Sequence, residues 1–240
     1  MIDRVLLKES AAALGVTVDD TAAERLDVYA RLLVEWNERM NLTAITDPEG
    51  IVLKHFADSL SAAPLLPQGA FSLIDVGTGA GFPGVPLAIL RGDMQLTLLD
   101  SLNKRLNFLE EVCRAVDVKA VRVHARAEEG GRNPQLREAF DVATARAVAG
   151  LPVLTELCLP FVKKGGRFLA LKGPDAPREC EEAARAVKTL GGRFGEGVSV
   201  TLPNPAAEGG TSERHIVVVE KIAPTPPKYP RPNVKKATPL

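Results

Sequence analysis

Cysteine is scarce in this 240-residue chain, and the three present, Cys113, Cys158 and Cys180, are odd in number and far apart. Such a set offers no disulfide framework and no metal-ligand spacing, so no metal is expected, and it fits a reducing, cytoplasmic setting. No run of about 18 apolar residues occurs, so no membrane span and no membrane partner are expected. The opening residues Met1-Ile2-Asp3-Arg4-Val5 mix acid, base and apolar side chains and lack a signal-peptide core. Net charge is missing as well, because 30 Lys and Arg balance 30 Asp and Glu. That argues against a chain that coats nucleic acid through bulk charge. No internal repeat is present. What remains is 45% hydrophobic and 25% charged, which supports one large domain or one domain with an extension.

The first 66 residues read as helical. Thr21 with Glu24 fits a capping box, and Leu26, Tyr29, Leu32, Leu33, Trp36 and Met40 follow at helical spacing. Asp47-Pro48-Glu49 reads as a second start, with a helix from about Glu49 to Ala63. From Phe71 short apolar strands alternate with helical segments, which implies βαβ units and a mostly parallel sheet. The expected strands are 71–76, 95–100, 119–124, 140–145 and 165–171. Leu102, Leu106, Leu109, Val112, Cys113 and Val116 form a helical stripe between the second and third, with Ser101 as a plausible cap. Val198–Leu202 and His215–Val219 read as an antiparallel hairpin around a turn-rich loop from Pro203 to Arg214. That gives a seven-stranded sheet. The segment 223–240 is rich in proline and should run extended. Residues 221–240 hold Lys221, Lys228, Arg231, Lys235 and Lys236 without an acid, so they read either as a solvated tail or as a basic arm on phosphates. The expected division is 1–66 as a helical extension, 67–222 as the main domain and 223–240 as the tail.

The chemistry concentrates in Leu73-Ile74-Asp75-Val76-Gly77-Thr78-Gly79-Ala80-Gly81-Phe82-Pro83-Gly84. An apolar strand there runs into an acid and a glycine turn, where a backbone can lie against a ligand with no Cβ in the way. The next strand ends on Asp100, placed to accept hydrogen bonds from ribose hydroxyls. Gly79-Ala80-Gly81-Phe82-Pro83-Gly84 also satisfies the dinucleotide fingerprint, a weak signal on its own. Three features favour the tighter turn Gly77-Thr78-Gly79-Ala80-Gly81 of methyltransferases that use S-adenosylmethionine. Asp75 precedes the turn, where it would face a cationic amino-acid group, directly or through water; Ala127-Glu128 follows the third strand, where a polar group meets adenine; and a terminal hairpin replaces a second nucleotide-binding half.

Several segments together resemble one family. They are Met40–Ile45, His55-Phe56-Ala57-Asp58-Ser59-Leu60, Asp75–Gly84, Thr144-Ala145-Arg146-Ala147-Val148, Lys172-Gly173 and Pro227-Lys228-Tyr229-Pro230-Arg231-Pro232. The chain resembles the glucose-inhibited division protein B family, the bacterial small-subunit ribosomal RNA guanine-N7 methyltransferases. The resemblance runs from about Tyr29 to the end. In the tail the family often has a second arginine after Tyr-Pro-Arg, where this chain has Pro232.

The resemblance implies a Rossmann-like class I methyltransferase fold. It implies methyl transfer from S-adenosylmethionine, with S-adenosylhomocysteine as product, to guanine N7 in 16S ribosomal RNA or the small ribosomal subunit. It also implies that Gly77, Phe82, Asp100, Ser101, Leu102, Ala127, Glu128 and Arg146 line the cofactor pocket. The residues themselves supply Gly77, Gly79 and Gly81 through the turn, Asp100 through the ribose and Glu128 by its position. Phe82, taken alone, reads as core or helix-start packing. Arg146 and Lys172, at the ends of the fourth and fifth strands, are candidates for positioning the substrate. His55 and Asp58 fall near the same opening, with His55 read as packing on a helix face. Asn41 and Thr43 read as a helix end and a turn cap. The chain is expected to act as a monomer. Two other readings use the same residues: a nicotinamide-dependent oxidoreductase, and a non-enzymatic ribosome-binding protein on this fold.

Overall fold

The computed structural model describes residues 1–204 and 210–240, the side chain of Lys235 excepted. The turn-rich loop expected after Pro203 therefore lies partly outside the described residues. Two helices come first, α1 (Arg4–Ala12) and α2 (Asp20–Asn37). Asp3 caps α1 by accepting from the Val5 and Leu6 N–H groups. Asp19 caps α2 by accepting from the Ala22 N–H, which displaces the expected capping box two residues upstream. The expected second start holds: Asp47 accepts from the Gly50 N–H, with Pro48 in the first turn. The helix that follows is composite. It runs as α3 (Pro48–Gly50), a π-helix (Ile51–Ala57) and α4 (Asp58–Leu60).

The parallel part of the sheet is β1 (Phe71–Val76), β2 (Met94–Asp100), β3 (Ala120–His124), β4 (Phe140–Arg146) and β5 (Val162–Lys172). Helices α5 (Gly84–Leu90), α6 (Asn103–Ala115), α7 (Ala127–Gly130), α8 (Leu151–Cys158) and α9 (Ala176–Thr189) connect and cover the strands. Strands β6 (Gly192–Phe194), β7 (Val198–Pro203) and β8 (Thr211–Lys221) close the sheet. The order is β3-β2-β1-β4-β5-β8-β6, with β7 also on β8. β8 runs antiparallel to β5, and both β6 and β7 run antiparallel to β8. The sheet thus has eight strands, not seven. The extra one, β6, is three residues long and starts on glycine, so it carries no alternation to read.

One face of the sheet shares a core with α1, α2, α5 and α6, through residues such as Leu7, Leu26, Tyr29, Leu33, Phe56 and Phe108. The other face carries α8, α9 and the tail. The expectation of a basic arm reaching phosphates is corrected for Arg231. Its Nε and Nη2 donate to the buried Glu156 carboxylate at 3.0 and 2.7 Å. Arg132 and Arg137 donate to carbonyls of Thr225, Lys228, Tyr229 and Pro230. Tyr229 and Val234 are buried. The tail is therefore part of the core on that face. Prolines make this possible, because an extended segment leaves its carbonyls free to accept from arginines.

Candidate active site

The carboxyl ends of β1, β2 and β4 meet at a cavity of about 370 Å³. Its size suits a nucleoside-sized ligand. The turn after β1 is folded over the end of β2, where the Gly77 and Thr78 N–H groups donate to the Leu99 carbonyl at 2.8 and 3.0 Å. Gly77 and Gly79 hold φ of +68° and +60°. These left-handed values are open to glycine and disfavoured for residues with a Cβ. A Cβ on Gly79 would meet only the Gly77 carbonyl oxygen, at 3.9 Å, on a residue that lines the cavity.

Asp100 is buried at the end of β2 and lines the cavity. Its Oδ2 accepts from the Gly79 N–H at 2.9 Å and its Oδ1 from the Leu102 N–H at 2.9 Å. Oδ2 also takes a longer bond from Arg105 Nη1 at 3.4 Å, which leaves Oδ1 with a lone pair for a further donor. The Leu102 contact also means that Asp100, not Ser101, serves the start of α6; Ser101 lines the cavity instead. Across the cavity, Ala127 and Glu128 open α7. Glu128 is buried, and no donor among the described residues bonds its carboxylate; the nearest cation, Arg126 Nε, stands at 3.8 Å. A buried acid facing a cavity without a protein donor is suited to a ligand that brings its own.

Asp75 behaves differently from its expected role. It is fully buried and absent from the cavity wall. Its Oδ2 accepts from the Thr78 hydroxyl at 2.6 Å and the Gly84 N–H at 3.1 Å, and its Oδ1 from the Thr144 hydroxyl at 3.1 Å. Burial raises its pKa, opposed by these three donors. Asp75 shapes the turn from beneath. Gly81, at φ +97°, also turns away from the cavity and packs under α2. Leu102 is 42% exposed and borders the adjoining groove with Lys104 and Arg105.

Phe82 lines the cavity and is buried in a stack. Tyr29 lies at 5.2 Å and His55 at 4.6 Å between ring centroids, both nearly parallel to it. The Tyr29 hydroxyl donates to the Ala80 carbonyl, tying α2 to the glycine turn. His55 comes from the π-helix and reaches the cavity wall, so it does more than pack on a helix face. Its Nε2 is 2.8 Å from the Thr43 hydroxyl. Thr43 also caps a turn, accepting from the Ile45 N–H. Burial, and then the Arg146 charge, lowers the His55 pKa to about 4, which keeps the ring neutral at pH 7.

Arg146, at the end of β4, lines the same end of the cavity, with its guanidinium carbon 4.8 Å from the Phe82 ring centroid. Its Nη1 donates to Asp58 Oδ2 at 2.7 Å and to the Lys54 carbonyl at 3.2 Å. Lys172 does not join it. Its Nζ pairs with Glu179 of α9 at 2.7 Å and donates to the Ala149 carbonyl at 3.1 Å, outside the cavity wall. Its partner Glu179 places it on the side of the sheet that carries α9. Arg214 carries no local signal in the sequence. It stands on β8 and donates to Asp58 Oδ1 at 2.9 Å. Only the antiparallel direction of β8 brings that end of the strand to the cavity side. Among the described residues there is no cluster of metal-ligating side chains and no helix long and apolar enough to cross a membrane.

The glycine turn and a buried acid that accepts no hydrogen bond among the described residues fit a nucleoside cofactor. Solved structures with this architecture include M. jannaschii TYW2 in complex with AdoMet, with a TM-score of 0.53 at 13% identity, covering 69% of this chain and 77% of that one. The SAM-dependent O-methyltransferase of Thermotoga maritima aligns with a TM-score of 0.52 at 15% identity, covering 81% and 72%. The architecture is the class I S-adenosylmethionine-dependent methyltransferase-like fold. The family model for GidB, rRNA small subunit methyltransferase G, matches residues 22–201. A ribosomal RNA small subunit methyltransferase G of Acetivibrio thermocellus is 47% identical over 97% of this chain and 94% of its own length. One from Clostridium beijerinckii is 48% identical, covering 94% and 93%. The chain belongs to the rRNA small subunit methyltransferase G family and is an S-adenosylmethionine-dependent rRNA methyltransferase.

Proposed function

We propose that the chain methylates N7 of a guanine in 16S ribosomal RNA, with no obligatory general base. The observation that carries this reading is the setting of His55 on the cavity wall, where the ring stacks on Phe82, Nε2 lies 2.8 Å from the Thr43 hydroxyl and Nδ1 lies 3.4 Å from Arg146 Nη2, so neither nitrogen is placed to take a proton from a substrate. His55 is the cavity's one histidine, and burial and Arg146 hold it neutral with a pKa of about 4. A base that weak suits a nucleophile that has no proton to lose. N7 of neutral guanine is such an atom, whereas an exocyclic amine must shed a proton. S-adenosylmethionine supplies, when bound, an electrophilic methyl that N7 takes in line, with S-adenosylhomocysteine leaving.

The residues of the chain hold and align. The turn Gly77-Thr78-Gly79 is assigned the amino-acid end, Asp100 and Ser101 the ribose, and Ala127 and Glu128 the adenine. Asp75 and Gly81 keep the turn in shape. Phe82 and Arg146 border the end that receives the base. Alignment of this kind can supply several kcal/mol of the rate enhancement, roughly 7–11 in favourable cases.

N7 lies on the major-groove edge, which is deep and narrow in A-form RNA. The target base is therefore unpaired or splayed out. On this reading residues 1–66 wall the cavity, 67–222 carry the transfer chemistry and 223–240 form the docked tail. The protein works as a monomer in the cytoplasm. A pH–rate profile under saturating substrates tests the absence of a base. The rate is expected to stay level between about pH 6 and 8.5. A rise of about tenfold per pH unit through neutrality would show that one group must lose a proton first.

A further inference from the structure

A base that enters the cavity remains attached to its backbone, and the structure holds a second cation beside the Arg146 end of the cavity. Asp58 is buried, at the junction of the π-helix and α4. Its two carboxylate oxygens serve two different arginines. Oδ2 accepts from Arg146 Nη1 at 2.7 Å, and Oδ1 accepts from Arg214 Nε at 2.9 Å. Arg146 belongs to the cavity wall; Arg214 does not, and its side chain is 29% exposed. Two cations against one anion leave positive charge in excess at this point. Arg146 is also fixed by the Lys54 carbonyl and the Phe82 ring. The Nη1 of Arg214 makes a long contact of 3.4 Å with the Glu213 carbonyl, and its Nη2 bonds no acceptor among the described residues.

We propose that Asp58 is a positioning residue that sets Arg146 and Arg214 as one rigid pair. Arg146 faces the base inside the cavity, and Arg214 takes a phosphate of the same RNA strand just outside it. The inference rests on the reading that RNA occupies this opening. Its physical basis is preorganisation. A free exposed arginine loses rotamer freedom when it grips a phosphate, and Asp58 removes that loss in advance by holding Nε. The remaining guanidinium edge is a fork suited to phosphate oxygens.

The test measures binding of the full-length protein to a small-subunit RNA transcript across roughly 50 to 200 mM salt. Arg214→Gln is expected to raise the RNA dissociation constant about tenfold and to flatten the salt slope by about 0.7, the loss of one single-strand phosphate contact. Asp58→Asn takes the shared carboxylate from both arginines, so it is expected to weaken binding and flatten the slope at least as much, and to melt below the wild type. The double variant should lose no more than Asp58→Asn alone, because Arg214 acts through the position that Asp58 gives it. Asp58→Glu keeps the charge and displaces it by a methylene. It is expected to show the same loss, and it carries the test if Asp58→Asn does not fold. An unchanged slope in Arg214→Gln overturns the proposal. So does tighter binding by Asp58→Asn, which would mean that Asp58 only subtracts charge, and so do losses that add in full. If the wild type binds the RNA but transfers no methyl, the reading of the cavity fails, while the slopes still decide the pair.

Discussion

Replacing Arg146 by alanine is expected to lower methyl transfer to small-subunit RNA by about a hundredfold or more, roughly 3 kcal/mol at the transition state. The side chain is held on three sides, by Asp58, by the Lys54 carbonyl and by the Phe82 ring. Its orientation is therefore fixed before any substrate arrives, and preorganised groups are the ones whose loss is felt most in the rate. The fold should survive, because Asp58 keeps Arg214 at 2.9 Å and is not left as a lone buried charge. Arg146→Lys should not restore activity, since an ammonium cannot reproduce a fork that bonds at its edge and stacks on its face. The check is transfer of labelled methyl from S-adenosylmethionine, with melting curves alongside. Transfer by Arg146→Ala at the wild-type rate would remove Arg146 from the site.

Gly81→Ala is expected to destabilise the protein by about 3 kcal/mol, a drop of roughly 6 to 12 °C in melting temperature. Two effects combine. The φ of +97° is unfavourable for alanine. The new Cβ would also stand 2.6 Å from the Tyr29 hydroxyl and 2.7 Å from Leu109 Cδ2. Tyr29 cannot retreat freely, because it is buried, stacks on Phe82 and bonds the Ala80 carbonyl. Strain at Gly81 therefore passes into the glycine turn that lines the cavity. Gly79→Ala is the natural comparison. Its Cβ meets nothing closer than 3.9 Å, so it should cost only about 1 kcal/mol while adding a methyl beside the cavity. Differential scanning calorimetry separates the two. Equal melting temperatures for Gly81→Ala and the wild type would show that the turn is not clamped by α2.

The parts of this protein that are legible in the sequence are those written in local pattern. The turn from Asp75 to Gly84, Asp100 at the end of β2 and Glu128 after β3 all follow from strand ends and glycine chemistry, and all lie at the expected edge of the sheet. Pattern could not reveal which side of a residue faces the ligand. Asp75 sits where an acid could face a cation, yet three donors from the turn, α5 and β4 already occupy it. Lys172 has the right position along β5 and turns to Glu179. Contacts between distant segments were equally hidden. Arg214 reaches Asp58 only because β8 runs backwards, and Arg231 is neutralised only because the tail folds onto α8, where Glu156 waits in the core. Phe82 gave no signal beyond its apolar character. Its place between Tyr29 and His55 depends on α2 and a π-helix that no short periodicity announces.

The central claim is that this cavity brings a splayed guanine to a methyl donor and that N7 receives the methyl. Its most direct test is to incubate the wild-type protein with labelled S-adenosylmethionine and small-subunit RNA, digest the RNA to nucleosides and identify the labelled one by mass. The account predicts that the label is found in N7-methylguanosine. Label on an exocyclic amine, on a ring carbon or on any other base would contradict it.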